Sequence, residues 1–402
     1  MASKVSWPTG PGVLLDTIRS GGSWTRGQLL DELGWSRSTL GKRLEDLTAT
    51  GLICRVGQQD STGGRPADAI ALDRSAGVVL GIDIGVSHSR LAIADLGGEI
   101  LAEDEADVLV GAGPDEVFDW AIQCFDFMLD QLGRTRADVL AIGIGVPDSA
   151  DPDTGTVVNP VMMPNWEGTV VSDMVRPAYP EAVVAVERDV SIMAMAEQRA
   201  SWPTASNLML AKITSNLGCG FIIGGQIYSG MHGGAGQLGQ LRLGGRADAP
   251  RLGDVAAGWP IQRDLVLRGE RVRTTADIVA LARRGDEMTI ARLREAALAV
   301  APSLIDAAIL FGPSVLVLAG TLVEAEAEVV EPIVELFRER EADFVGGLPT
   351  LAVTTLGRRA GVVGAVVVGL NAMFEPDRAD RLVARRLKVA TMREEIADPT
   401  LA

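Results

Sequence analysis

The sequence predicts an α/β chain in which an N-terminal winged helix-turn-helix precedes a larger, two-lobed nucleotide-binding architecture. Three observations carry that expectation. Two helical stripes separated by a glycine turn occupy residues 25–47, and two strand-like apolar runs around a polar, glycine-rich tip follow them. From Val78 onward, short β-branched runs alternate with longer helical stretches, and glycine turns close several of the strands. The expected divisions are residues 1–75 for the winged helix-turn-helix, 76–190 for the first lobe, and 191–402 for the second lobe with its dimerisation helices.

Each N-terminal element has a local reason. Residues 10–20 place Val13, Leu14 and Ile18 on one helical face. Thr25 stands where a helix cap is needed, Leu29, Leu30 and Leu33 face inward from the helix it opens, and Gly34 ends that helix. A second helix from Ser36 buries Leu40, Leu44 and Leu47 and turns Arg37, Ser38, Thr39, Lys42 and Arg43 outward. N-terminal residues of a recognition helix reach base edges, so Ser38 and Thr39 are the expected readers and the basic residues the phosphate anchors. Beyond Gly51, the tip Gly63-Gly64-Arg65-Pro66 makes a wing whose arginine suits a narrow minor groove. Ser36, Arg37, Ser38, Thr39, Lys42, Arg43 and Arg65 are therefore the expected DNA-binding set. A small helical packing module with ordinary surface charge is the competing reading, and the wing weighs against it.

Charge and composition limit what else the chain can be. The formal charge of −16 would argue against nucleic acid, yet residues 1–75 hold nine Lys and Arg against eight Asp and Glu, so the acidity belongs to the remainder. Arg37, Lys42, Arg43, Arg55 and Arg65 make a modest basic face. At 402 residues and 47% hydrophobic content, two or three globular domains with a large core are expected. No apolar run approaches the ~18 residues of a membrane span, and Met-Ala-Ser-Lys-Val-Ser-Trp-Pro has no signal-peptide core, so a cytoplasmic location without membrane partners is expected. Cys54, Cys124 and Cys219 are too few and scattered for a disulfide framework or zinc cluster, and are expected to pack as small hydrophobes.

In the large domain, strands are expected at Val78–Ile84 and Arg90–Ala94, joined by a hairpin through Asp83, Gly85, Val86, Ser87 and His88. Such a hairpin can set main-chain N–H groups against phosphates, and glycine lets the backbone approach closely. Val86 instead projects two methyls into that space. A buried strand, Val139–Val146, ends at Pro147-Asp148, and Pro114–Leu132 and Asp189–Arg199 read as helices. Val184–Val186 leads to Arg188-Asp189, Leu208–Ile213 to a turn through Thr214-Ser215-Asn216, and Val315–Leu318 to Ala-Gly-Thr. The apolar stretches Ile290–Phe311 and Ala360–Phe374 are long helical candidates for core packing or dimerisation.

Four motifs now carry a family resemblance. Asp83-x-Gly85 with Arg90, Ala92, Asp95 and Gly98, Gly143-x-Gly145-x-Pro147, Val186-Glu187-x-Asp189, and Gly230-x-His232-Gly-x-Ala-Gly236-x-x-Gly239 resemble the ROK family of repressors, open reading frames and kinases over nearly the whole chain. With a winged helix ahead of them, they resemble the ROK transcriptional regulators more than the shorter ROK sugar kinases. The resemblance implies an actin-like ATPase fold and a regulator of carbohydrate genes, a repressor by kind. It implies a palindromic double-stranded DNA operator, a homodimer or tetramer, and a sugar or anionic sugar-derived effector that closes the lobes.

The departures from the kinase pattern fall on its chemistry. Gly85-Val86 stands for a glycine pair, and Thr214-Ser215-Asn216 for Gly-Thr-Gly, so both phosphate loops are degenerate. Asp189 aligns with the family's catalytic aspartate, which accepts a sugar hydroxyl proton, and is expected to be a relic, with no catalytic residue and no enzymatic activity. Arg188 replaces a sugar-contacting asparagine, Gln237 and Gln240 replace a glutamate and a histidine, and Met162 replaces an earlier asparagine. Lost partners at ~1 to 3 kcal/mol each should weaken ordinary hexose binding. Gln240 also replaces a zinc-ligating histidine, and residues 241–254 lack cysteine, so neither zinc nor another cofactor is expected. Asn165, Arg188, Asp189, His232 and Gln237 are the effector-binding candidates. Either Arg188 receives an anionic group or it pairs internally with Asp189 or Glu187; His88 is expected to be structural. An effector-blind regulator and an active sugar kinase are the competing functions.

Overall fold

A computed structural model of the chain describes residues 9–59, 67–86, 88–108 and 110–397. Arg65, with the rest of the wing tip, and Ser87 lie outside the described residues. The first unit runs α1 (Pro11–Ser20), β1 (Ser23–Thr25), α2 (Arg26–Leu33), α3 (Arg37–Ala49), β2 (Ile53–Gln59) and β3 (Ala67–Leu72), with a sheet ordered β1-β3-β2. Thr25 opens α2 with a capping box: its Oγ1 accepts from Gln28 N at 3.3 Å, and its own N donates to Gln28 Oε1 at 2.8 Å. Gly34 leaves the helix at φ 63°, a left-handed conformation that suits glycine. Leu40, Leu44 and Leu47 are buried as expected, but on α1 Leu15 is buried with Leu14 and Ile18 while Val13 is only half-buried. The buried face of α1 is turned toward a second element, so its stripe is wider than the local periodicity suggested.

The first lobe comprises β4 (Val78–Asp83), β5 (Ser89–Asp95), β6 (Ile100–Ala106), α4 (Pro114–Gln131), β7 (Val139–Val146), α5 (Val171–Val175) and β8 (Val183–Arg188). The second comprises α6 (Asp189–Ser201), β9 (Leu208–Ile213), β10 (Leu217–Ile223), β11 (Gln226–Ile227), α7 (Leu252–Ala256), α8 (Gly258–Leu267), α9 (Thr275–Arg283), α10 (Glu287–Phe311), β12 (Val315–Ala319), α11 (Glu331–Glu339) and β13 (Thr350–Val353). The two sheets, β6-β5-β4-β7-β8 and β11-β10-β9-β12-β13, repeat one topology. Three antiparallel strands meander in each, and two parallel strands follow on the other side. The turn after Ile213 is a tight hairpin that leads into antiparallel β10.

Helices α12 (Ala360–Phe374) and α13 (Pro376–Ala397) carry the chain back from the second lobe. α12 lies so close to β7 that a Cβ on Gly143 would fall 1.8 Å from the Ala365 carbonyl oxygen. α13 then docks on the winged helix. Asp380 Oδ1 accepts from Gly12 N at 2.7 Å, and Arg386 donates to the carbonyls of Thr50 at 3.2 Å and Ala76 at 2.9 Å. α12 thus packs between the first-lobe sheet and α6 of the second lobe, and α13 on the N-terminal unit. Among the described residues no single helix is long and apolar enough to cross a membrane.

Candidate functional site

Two surfaces hold the sequence-derived candidates, and the first is the N-terminal half of α3. Ser36 caps this helix, its Oγ accepting from Thr39 N at 3.1 Å and lying 2.9 Å from the hydroxyls of both Ser38 and Thr39. Arg37, Ser38 and Lys42 are exposed, and neither cation forms an ion pair among the described residues. Thr39 and Arg43 are half-buried. Arg43 is held within the domain, donating from Nε to the Thr9 carbonyl at 2.9 Å and pairing with Asp46 at 3.2 Å. Arg55 pairs with Asp68 across the wing strands at 3.2 Å.

The second surface is a cleft of about 880 Å³ between the lobes. Among its lining residues are Asp83, Gly85, Val86, Arg188, Asp189, Thr214, Ser215, Asn216 and Gln237. Parallel strands end there, which is where an open α/β sheet offers a crevice. Asn165 and His232 do not line it. Asn165 is exposed with φ 71°, and His232, at φ 51°, sets Nδ1 2.7 Å from Asp151 Oδ2 and holds that carboxyl down at about 2. His88 is on the cleft wall, where burial and then Arg90 and Arg358 lower its pKa.

At the cleft floor, Asp189 accepts from Val190 N at 2.6 Å on one oxygen and from Lys212 Nζ at 2.6 Å on the other. Lys212, absent from the sequence-derived set, is the central cation here; a lone lysine inside the apolar strand Leu208–Ile213 was its signal. Burial alone would lower the Lys212 ammonium, but Asp189 and Asp83 outweigh it and hold it above the usual lysine value. Burial raises Asp83 to about 6, against Lys212 and with Asp189.

Arg188 pairs with neither Asp189 nor Glu187. Its Nη1 donates to the Ala235 carbonyl, and its buried Nε has no hydrogen-bond partner among the described residues. Glu187 instead accepts from Ser229 Oγ at 3.0 Å, and burial lifts its carboxyl to about 7. Gln237 Nε2 donates to Ser149 Oγ at 3.2 Å, and Asp148, raised by burial, accepts from Met162 N at 2.5 Å. In the loop through Thr214, Ser215 and Asn216, the Thr214 and Ser215 carbonyls accept from Gly258 N at 2.8 Å and Trp259 N at 3.2 Å, the first amides of α8. Cys219 is a buried core thiol pushed up to about 12, while Cys54 and Cys124 are half-buried.

Fold and cleft define the class: an actin-like, two-lobed domain with a winged helix attached. The chain belongs to the ROK family, whose model matches residues 79–371. It is 23% identical to the xylose repressor of Bacillus subtilis over 359 residues, which is 88% of this chain and 92% of that protein. It is 24% identical to the DNA-binding transcriptional dual regulator NagC of Escherichia coli K12, over 78% of this chain and 80% of that one. A match to the putative xylose repressor of Caldicellulosiruptor sp. spans 61% of that protein's length. Among solved structures, a ROK family transcriptional regulator, a homologue of the E. coli MLC protein, superposes with TM-score 0.74 at 20% identity, covering 94% of this chain and 98% of that one. A ROK family glucokinase from Streptomyces griseus, in complex with glucose and AMPPNP, gives TM-score 0.60 at 24% identity over 73% of this chain and all of that one.

Proposed function

We propose that this chain is a DNA-binding transcriptional repressor that controls carbohydrate genes and answers to a sugar or sugar-derived effector held between its lobes. The observation that carries the reading is a continuous path from cleft to reader. α12 begins at the cleft, where Gly357, Arg358 and Gly361 line it, and ends where Phe374 lies 4.6 Å under the Arg19 guanidinium of α1. α13 then reaches the Thr50 carbonyl at the end of α3 through Arg386. A ligand that moves one lobe against the other moves the reader, and ligand and operator affinities are coupled reciprocally. The relatives named as repressors support the same reading, as does the exposed trio Arg37, Ser38 and Lys42. A homodimer on a palindromic operator, with half-sites about one helical turn or a multiple apart, fits this role in the cytoplasm.

Nucleotide phosphates do not suit the residues present. Val86 places methyls in the first hairpin, Thr214-Ser215-Asn216 has no glycine, and the amides of Gly258 and Trp259 already serve that loop's carbonyls. Lys212 occupies Asp189, the residue a kinase would need as base. A coupled ATP-hydrolysis assay checks this: turnover that vanishes in Asp189→Asn overturns the non-enzymatic reading. For the effector, Asp148, Asp189 and Gln237 offer hydrogen-bond partners to hydroxyl groups, and Arg188 offers a guanidinium to a carboxylate or phosphate.

The deciding experiment is selection of genomic fragments by the purified protein, beside the Arg37→Ala, Lys42→Ala double variant. A palindromic motif that the variant loses supports the reading. No enrichment, with or without a panel of neutral sugars, sugar acids and sugar phosphates, sinks it. Enrichment that no panel member alters favours the effector-blind regulator.

A further inference from the structure

We propose that Gly41 sets how closely α3 approaches DNA, its missing side chain leaving bare helix backbone where a DNA group packs. The proposal rests on the DNA-binding reading above. Gly41 lies in the interior of α3, one turn after Arg37 and Ser38, so it shares the face of those two exposed residues, with exposed Lys42 on the adjoining flank of the helix. Glycine is, after proline, the least favourable residue in a helix interior, and its presence there calls for a reason.

Close packing supplies that reason at most of the other α-helical glycines among the described residues, but not here. A Cβ on Gly12 would meet the Pro376 carbonyl oxygen at 2.2 Å, one on Gly361 Asp83 Oδ2 at 2.0 Å, and one on Gly364 the Ile192 carbonyl oxygen at 2.0 Å. Gly369 and Gly253 face backbone at 2.8 and 3.0 Å, and Gly258 faces Thr275 at 2.5 Å. Gly27 has only Thr25 Oγ1 at 3.9 Å, but it sits in the first turn of α2, where the helix is less demanding. A Cβ on Gly41 would meet nothing within 4 Å, and its backbone needs no positive φ. The fold therefore gains nothing from this glycine. The groups that can use the space lie outside the chain, and Arg37 on the same face and Lys42 on its flank, neither in an ion pair among the described residues, point to a polyanion. A recognition helix in the major groove makes its closest approach along that face, and one methyl there holds the helix off the base edges that Ser38 and Arg37 would reach.

The test pairs two readouts that a structural role would move together and this role moves in opposite directions. The full chain selects a duplex from a random-sequence pool, and wild type, Gly41→Ala and Gly41→Leu are compared on that duplex by fluorescence anisotropy and by thermal melting. Gly41→Ala is expected to raise the melting temperature by about 1–3 °C, from better helix propensity. It is expected to weaken duplex binding by about tenfold or more. Gly41→Leu should weaken binding further while still folding. Equal affinity for wild type and Gly41→Ala overturns the proposal, and so does a lower melting temperature for Gly41→Ala, which would assign the glycine to the fold. If wild type selects no duplex, the DNA-binding reading itself fails, and this proposal fails with it.

Discussion

Lys212 Nζ lies 2.6 Å from Asp189 Oδ2, so the aspartate at the start of α6 is tied to the neighbouring strand β9. The pair stands at the floor of the interlobe cleft, with Asp83 of the first lobe in the field of the same ammonium. One side chain therefore balances two carboxylates that come from different parts of the fold.

Lys212→Met is expected to lower unfolding stability by about 2–3 kcal/mol, because it removes the ammonium that Asp83 and Asp189 share and leaves their mutual repulsion. The deficit should shrink as pH falls from 8 to 5, since protonation of Asp83 removes the repulsion. Urea unfolding at the two pH values measures both effects. A variant as stable as wild type at pH 8 would show that the pair contributes nothing.

Glu197 on α6 is fully buried, and its carboxylate accepts from Thr355 N at 3.1 Å, Leu356 N at 3.2 Å and the hydroxyls of Thr354 and Thr355. It fixes the turn that leads from β13 into α12. Glu197→Ala removes the buried acceptor that these half-buried or exposed donors share and should cost about 2 kcal/mol, with Glu197→Gln milder because one amide oxygen still accepts. Chemical denaturation of both variants checks the order.

Arg386→Ala removes two carbonyl contacts between α13 and the chain around the winged helix. Hydrogen exchange at the C-terminal end of α3 is expected to speed up, and an effector is expected to shift operator affinity less than in wild type. Unchanged exchange there, together with unchanged coupling, would take α13 out of the signalling path.

Stability should fall as pH rises from about 5 to 8. Burial lifts Glu187 to about 7 and Asp83 to about 6, so the folded chain keeps protons that the unfolded chain releases near pH 4. Through these two groups each step up in pH in this window favours unfolding, and His88, lowered by burial, works in the opposite direction as the smaller contribution of one group against two. Glu187→Gln is expected to flatten the fall in melting temperature by removing one of the two groups. A wild-type melting temperature constant across the window contradicts it.

Much of the architecture is legible in the residues because its signals are local. The Thr25 cap, the Gly34 stop and the stripe Leu40, Leu44 and Leu47 need only 3.6-residue periodicity and cap chemistry, and the structure places them accordingly. The strand Val139–Val146, buried along its whole length, announces itself as an unbroken apolar run. β6 did not, because Ile100–Ala106 is an exposed edge strand with three acidic residues and little hydrophobic contrast. The cleft was half legible. Arg188, Asp189 and Gln237 line it, but Asn165 and His232 do not.

By itself, then, the sequence determined the winged helix, the two α/β lobes and the exposed basic start of α3, all products of short-range periodicity and capping. The tertiary structure alone decided that Lys212, rather than Arg188, neutralises Asp189, and that α13 returns to hold the reader. Gly12 and Asp380 meet across 368 residues, and Lys212 reaches Asp189 from an adjacent strand. Local patterns set which face of each element is buried. Which polar groups meet across buried faces depends on the order of strands in the sheets and on where the last helices pack, and no short window of sequence contains that information.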